Sequence, residues 1–336
     1  MLAILIINHK TAPVTLACLE RLLQFAPGDA EIHVLENGSS AQDAQELSRF
    51  ADANAQVRLA LSDVNLGFAA GMNRLLEIAL GDTCVDQVLL LNSDTLPGAG
   101  FIEAMQRALD VSTQTEMIAA RMPHADGSID SLGITLYRST LASNRKREDE
   151  VLLGPTGGCA LFTRRVLEDL HASHGEWFDE SFFCYAEDTD LIIRARWLGY
   201  LPAYAAEAIV LHEGSLSSGG PDNDFVLYHG IRNSLWWLVK DAPSGWLLRS
   251  LPWFVALHCG IVARHLRRGR MRVLWRLYCD AVRGVPAMLR KRKLIRATRR
   301  VPAREFARWV EPHFYERDYL RRAWRELWRA APKPSG

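Results

Sequence analysis

The sequence predicts an α/β protein whose central sheet is mainly parallel and flanked by helices. Three observations point there. Strand-like apolar runs alternate with helix-like segments four times in about the first hundred residues, the signature of parallel strands joined by right-handed crossovers. The run at residues 88–91, Val-Leu-Leu-Leu, is apolar without alternation, as suits a strand buried on both faces. The first strand leads into NHKTAPV, and neither Gly-x-Gly-x-x-Gly nor a P-loop pattern occurs. That excludes the dinucleotide-binding and P-loop classes, so a nucleotide bound here must be held by polar side chains and a metal.

Taken in order, residues 2–7 form the first strand, ending at Asn8 and His9. The N-terminus has no basic leader before this apolar run, which reads as a strand rather than a signal peptide. Pro13 suits the first turn of a helix that reaches about Phe25, where Pro27-Gly28 breaks it. Residues 32–35 make the second strand, ending in Glu36-Asn37-Gly38-Ser39-Ser40, and a helix follows from about Gln42. Residues 57–61 make the third strand and residues 68–80 a helix. The fourth strand ends in Asn92, Ser93 and Asp94. This triplet either caps a helix starting near Pro97 or aims an amide and a carboxylate at a divalent cation. The pattern then loosens across residues 117–150, and the charge run at 144–150, NRKREDE, reads as a mobile surface loop. Gly157-Gly158 opens a strand at residues 159–163, and paired glycines there imply a bulge or close approach by another chain or ligand. Glu187, Asp188 and Asp190 start a helix with apolar Leu191, Ile192, Ala195 and Leu198. Acids suit a helix N-terminus, but three in four residues exceed what capping needs, so one is a candidate general base. A short strand at 209–211 ends at His212, a possible metal ligand.

At 336 residues the chain holds one large domain or two smaller ones, and 49% apolar content supports a sizeable core. Net charge is +1, but it is unevenly spread. Residues 264–300 carry fourteen Lys/Arg and one acid, whereas 18 bases face 33 acids before residue 264. The tail is therefore expected to meet something anionic. The six cysteines include no Cys-x-x-Cys pair and read as scattered core residues of a reducing compartment.

Eight segments in order over about 240 residues resemble the inverting glycosyltransferases of family 2, which have the GT-A fold, and among them the rhamnosyltransferase-like branch. They are IINHK, VLENGSS, NLGFAAGMN (residues 65–73, Asn-x-Gly-x-x-x-Gly-x-Asn), LLLNSD, GGCALFTRRV, the FFxYxEDxDLxxR pattern of residues 182–194, LHEGSLS, and YHGIRNSLWWLVK. The resemblance implies a GT-A transferase domain at residues 1–240 and a helical, basic C-terminal region at 241–336. It implies a nucleotide-diphosphate sugar donor, framed by Asn8, Glu36, Asn65, Gly67, Asn73, Asn92, Ser93 and Gly158. It further implies Mg²⁺ or Mn²⁺ on Asp94 and His212, Asp188 as the general base, and Glu187, Asp190 and Arg194 as residues that orient the base. Two positions depart from the family pattern: Glu36 stands in place of Asp, and Asn92 in place of the first Asp of the metal segment. A decayed site left as a nucleotide-sugar or carbohydrate-binding scaffold is the non-enzyme alternative.

The apolar run at 251–263 is too short to span a bilayer and no transmembrane helix is expected. Basic residues interleaved with Trp, Leu, Val and Ile follow, as in ARHLRRGRMRVLWRLY. That pattern suits an interfacial helix on an anionic leaflet; the other possibility is helices packed on the acidic first domain. Nothing else reads as a nucleic-acid module. Together with this tail, the resemblance implies a peripheral enzyme on the cytoplasmic face of the membrane, acting on a lipid-linked or polysaccharide acceptor of the cell envelope, such as O-antigen. The resemblance also makes rhamnose the first expected sugar; galactofuranose, glucose and mannose are alternatives.

Overall fold

The computed structural model describes residues 1–212, 223–317 and 319. The first half builds the expected crossover units: β1 (Leu2–Asn8), α1 (Ala12–Phe25), β2 (Glu31–Asn37), α2 (Ala41–Ala53), β3 (Val57–Ser62), α3 (Gly67–Gly81) and β4 (Gln87–Leu91). Then come β5 (Thr95–Pro97), α4 (Phe101–Leu109), β6 (Thr115–Pro123), β7 (Ile129–Ser131), β8 (Ile134–Tyr137) and β9 (Ala142–Asn144). The chain continues through β10 (Cys159–Thr163), α5 (Arg164–His174), α6 (Glu187–Trp197) and β11 (Leu201–His212). It closes with three long helices, α7 (Asp224–Asp241), α8 (Ser244–Arg267) and α9 (Met271–Thr298), and with β12 (Val310–Glu311).

The main sheet runs β3-β2-β1-β4-β10-β6-β11-β5, with β7 on β6. Strands β3, β2, β1 and β4 are mutually parallel, as expected. Beyond β4 the sheet is mixed, because β10 is antiparallel to both β4 and β6. Strand order reverses between β1 and β4, the place where open α/β sheets leave a crevice at the strand ends. Both sheet faces are buried. Along β1, Ala3 and Leu5 pack under α3, α5 and α6, while Leu2, Ile4 and Ile6 pack under α1 and α4. That alternation is what a pleated strand imposes.

Several expectations change. Asn92-Ser93-Asp94 does not cap a helix: α4 begins only at Phe101, after Gly100 at φ +73°, and residues 95–97 pair with β11 instead. The loosened stretch contains β6 to β9. The charge run at 144–150 is anchored, not mobile: Arg145 and Glu150 are buried. Arg145 Nε donates to the Glu150 carbonyl at 2.9 Å, and Tyr137 donates to the Glu150 carboxylate at 3.2 Å. The short strand at 209–211 is the end of a twelve-residue strand. Only Cys18 and Cys159 are fully buried, and Cys84 and Cys259 are exposed.

The C-terminal region divides its contacts. Helix α9 lies along α7, and Gly284 permits the approach, since a Cβ there would sit 2.4 Å from Trp236 Nε1. Past α9, Phe306 stacks on Trp197 of α6 and Trp309 packs tilted against it, and β12 pairs with β8 in a small second sheet. Helix α8, by contrast, is largely uncovered. It runs unbroken for 24 residues, and by length and composition it is apolar enough to cross a membrane, with 11% of its most apolar window buried. The expectation that this run was too short is thereby corrected, because the helix extends the apolar segment at both ends.

Candidate active site

The carboxyl ends of β1, β2 and β4 converge on one crevice. Asn8 and Glu36 are register partners across β1 and β2, and both are buried. Asn8 Oδ1 accepts from Thr15 at 2.7 Å, and Glu36 accepts from the Ser39 amide at 2.8 Å. The Glu36 bond fixes the 38–40 turn, which Lys10 N also holds through Ser39 Oγ at 2.8 Å. Asn65 accepts from Gly67 N at 2.8 Å. Gly67 has φ +78°, and a Cβ there would lie 2.6 Å from the Phe183 ring and carbonyl, so this glycine lets α3 start against the loop that leads to α6. Asn73 donates to the Phe178 carbonyl at 2.9 Å and accepts from the Phe178 amide at 2.9 Å. It clamps α3 to that loop.

Sequence reasoning did not single out Asn37. Its amide donates to Asn65 Oδ1 and the Gly67 carbonyl, both at 3.2 Å, and accepts from Leu66 N at 2.9 Å. It joins the end of β2 to the turn before α3. The quoted segment VLENGSS contained it, and a buried amide at a strand end was the available signal.

Asp94 is buried just past β4, and its Oδ1 lies 3.2 Å from His212 Nε2 at the end of β11. His212 Nδ1 bonds Asp130 at 2.7 Å. Burial lowers the His212 pKa, but the Asp130 and Asp94 carboxylates beside the ring overcome it and hold it up to about 9. Asp130 was also missed, since its short strand β7 carries no pattern in sequence. Ser93 beside Asp94 is half-buried. His212 Nε2 is buried without an aligned hydrogen bond, and the donor set of carboxylate, imidazole and a second carboxylate on the far nitrogen fits a divalent ion. Among the described residues no three His, Cys, Asp or Glu side chains form a ready-made cage. Mg²⁺-type sites commonly complete their shells with phosphates and water. The rest of the LHEGSLS segment, Glu213 onward, lies outside the described residues.

Asp188 occupies the first turn of α6. Its Oδ2 accepts from Gly157 N at 3.0 Å and its Oδ1 from Thr189 N at 2.6 Å. Burial raises its pKa, and these N–H groups partly offset the rise. The next glycine, Gly158, accepts from Asn92 N at 2.9 Å. A Cβ on Gly157 would meet Phe68 at 3.3 Å, and one on Gly158 would meet Met122 at 3.1 Å. Glycine here serves close backbone approach: one residue touches the acid of α6 and the next touches the end of β4.

Glu187 does not orient Asp188 by hydrogen bonding. Its Oε2 is buried without a partner among the described residues, and burial, then the neighbouring Asp188, hold its pKa well above the ordinary range. Asp190 and Arg194 do anchor the helix. Both are fully buried, with Arg194 Nε donating to Asp190 at 2.8 Å. Lys240 of α7 reaches Asp190 at 2.6 Å and Asp179 at 2.8 Å, and Lys291 of α9 reaches Asp179 at 2.7 Å and Glu176 at 2.8 Å. Asp241 beside them is pushed well above its usual range, by burial and then by Asp190.

Residues 3–171, half of the chain, match the family model for glycosyl transferase family 2. The N-acetylglucosaminyl-diphospho-decaprenol L-rhamnosyltransferases of two Mycobacterium tuberculosis strains are 27% identical over 253 residues, covering 65% of this chain and 80% of theirs. A mannosyltransferase from Pyrobaculum calidifontis, solved with GDP-Man and Mn²⁺, superposes with a TM-score of 0.55 at 14% identity, over 88% of this chain and 85% of that one. That likeness shows the GT-A fold.

Proposed function

The chain belongs to glycosyltransferase family 2, and on that premise we propose that it is an inverting transferase moving a sugar from a nucleotide diphosphate to a hydroxyl of a lipid-linked glycan. The observation that carries this reading is the bridge formed by Gly157 and Gly158. It sets Asp188 on one side and the Asn92–Asp94 segment on the other, as a base and a leaving-group site must be set around a reacting sugar.

In this reading the nucleotide lies over the ends of β1 and β2, against Asn8, Glu36 and Asn65, with Asn37 holding those walls together. A divalent ion on Asp94 and His212, when bound, neutralises charge developing on the departing diphosphate. Asp130 keeps His212 oriented so that Nε2 is the ligating nitrogen. Asp188 takes the proton as the acceptor oxygen attacks the anomeric carbon, and its raised pKa moves it toward the range where a base works best. One displacement inverts the configuration.

Rhamnose carried on deoxythymidine diphosphate is the proposed donor, supported by the named activity of the mycobacterial relatives. Their names also supply the proposed acceptor class, a sugar on a polyprenyl diphosphate. The proposed location is the cytoplasmic membrane face. Supporting it, α9 exposes Met271, Trp275, Val282 and Leu289. Each is followed directly by an arginine, which sets an apolar stripe beside a basic one, as interfacial helices have. Residues 1–240 then form the transferase unit and residues 241–336 the membrane-facing one.

A thermal-shift panel of nucleotide sugars with and without Mn²⁺ tests the reading, since a ligand of the folded state raises Tm. The expected result is a metal-dependent shift with deoxythymidine-diphosphate rhamnose that disappears in Asp94→Ala. No shift with any donor, in folded protein, would leave a binding scaffold as the better account.

A further inference from the structure

A cavity of about 490 Å³ opens between the start of α7 and the start of α9, lined by Asp224, Phe225, Tyr228, His229, Arg272, Val273 and Arg276. Its size falls within the roughly 300–1,000 Å³ of small-ligand sites. Asp224 is matched by Arg270 at 3.3 Å. Arg272 is exposed, with no ion pair among the described residues. Arg276 lies over the Tyr228 ring at 4.9 Å, and its carboxylate neighbour at 3.7 Å, Asp280, is already engaged by Arg283 and Tyr228. His229 is held neutral, its pKa pulled down to about 4 by burial and then by Arg232. The cavity thus presents two guanidinium charges on an aromatic wall.

Two neighbours say what such a wall serves. Inward, Phe225 packs on Phe183 and Tyr185 at 6.2 and 6.1 Å, in the loop that runs into Asp188. Outward, Met271 and Trp275, the residues just before the two arginines, are 65% and 74% exposed. The cavity therefore lies between the base and an uncovered apolar stripe.

We propose that this cavity seats the diphosphate of a polyprenyl-diphosphate-linked acceptor, with Arg272 and Arg276 binding the phosphates while Met271 and Trp275 meet the lipid. A diphosphate esterified at both ends carries two negative charges, which the two arginines match. The isoprenoid leaves along α9, and the first sugar extends toward the loop before Asp188. This site is separate from the donor diphosphate at Asp94, and it rests on the lipid-linked acceptor proposed above.

The test is calorimetric titration of the full chain in detergent with three probes: farnesyl diphosphate, inorganic diphosphate and farnesol. Farnesyl diphosphate should bind, and bind more tightly than either other probe. Arg272→Ala/Arg276→Ala should weaken it about tenfold or more with Tm unchanged, since both side chains are exposed. Asp94→Ala should bind it as the wild type does. Equal binding in wild type and double variant would overturn the proposal. So would inorganic diphosphate binding as tightly as the farnesyl ester, which marks a free-anion site, or loss of binding in Asp94→Ala, which places the probe in the donor site. Donor shifts with Mn²⁺, measured in parallel, score the transferase reading on its own: a protein that binds the donor but not farnesyl diphosphate loses only this inference.

Discussion

Two clusters of acids and bases sit within the same fold, and they are finished differently. Behind α6, Asp179, Asp190, Arg194, Lys240, Lys291 and Glu176 are joined by ion pairs that tie α6 to α7 and α9. Past β4, Asp94, His212 and Asp130 form a chain whose middle nitrogen is buried yet poorly bonded. Aspartates build both, but Lys and Arg cross the first and a histidine the second. Fixed cations tying three helices together mark the first as structure, and two carboxylates converging on one imidazole at the strand ends mark the second as a candidate place for a ligand.

The largest expected effect is on chemistry. Asp188→Asn should lower turnover about 10²–10⁴-fold, the range of general-base assistance, while the metal-dependent donor shift survives. Turnover near wild type in a steady-state transfer assay would remove Asp188 from its role. Next, Lys240→Met leaves Asp190 and Asp179 short of a buried partner and should cost about 3–5 kcal/mol of stability, read as a lower urea midpoint. An unchanged midpoint would erase the contrast between the two clusters.

The third effect concerns acid. His174, at the end of α5, has its pKa lowered to about 3 by burial and then by Arg194. A histidine with a depressed folded value contributes stability above its unfolded pKa of about 6.5, and loses it as pH falls toward the folded value. Asp179, also depressed, adds a loss below about pH 4. Urea midpoints should therefore fall between pH 6.5 and 4, and His174→Gln should flatten that part of the curve. A slope identical in the variant would assign the acid sensitivity elsewhere. The smallest effect is Gly157→Ala, whose Cβ meets Phe68 at 3.3 Å. A shift of a few tenths of an ångström there should lower kcat by about tenfold or less, with KM for the donor unaffected.

The parallel half of the sheet was legible because β1, β2 and β4 are unbroken apolar runs between polar turns. Strands β6 to β9 were not, since three of them have only three or four residues and their stability comes from partners far away in the chain. Arg145 and Glu150 misled for the same reason: charged letters suggest water, and only the fold shows that Tyr137 and buried carbonyls receive them. At the site, Asp94, Asp188 and His212 stood in recognisable segments. Asp130 did not, being 82 residues from the histidine it orients. Glu187, expected to steer its neighbour, has one carboxylate oxygen buried without a hydrogen-bond partner among the described residues.

The Gly157-Gly158 pair has one more consequence. Consecutive Cα atoms across a trans peptide are about 3.8 Å apart. The two-residue stretch from the Gly157 amide to the Gly158 carbonyl is thus the gauge that sets Asp188 against the end of β4. It is made of backbone, so side-chain replacement in the surrounding walls can retune which sugar fits without resetting it. Only an added or deleted residue changes the gauge, and such a change would uncouple holding a donor from using it.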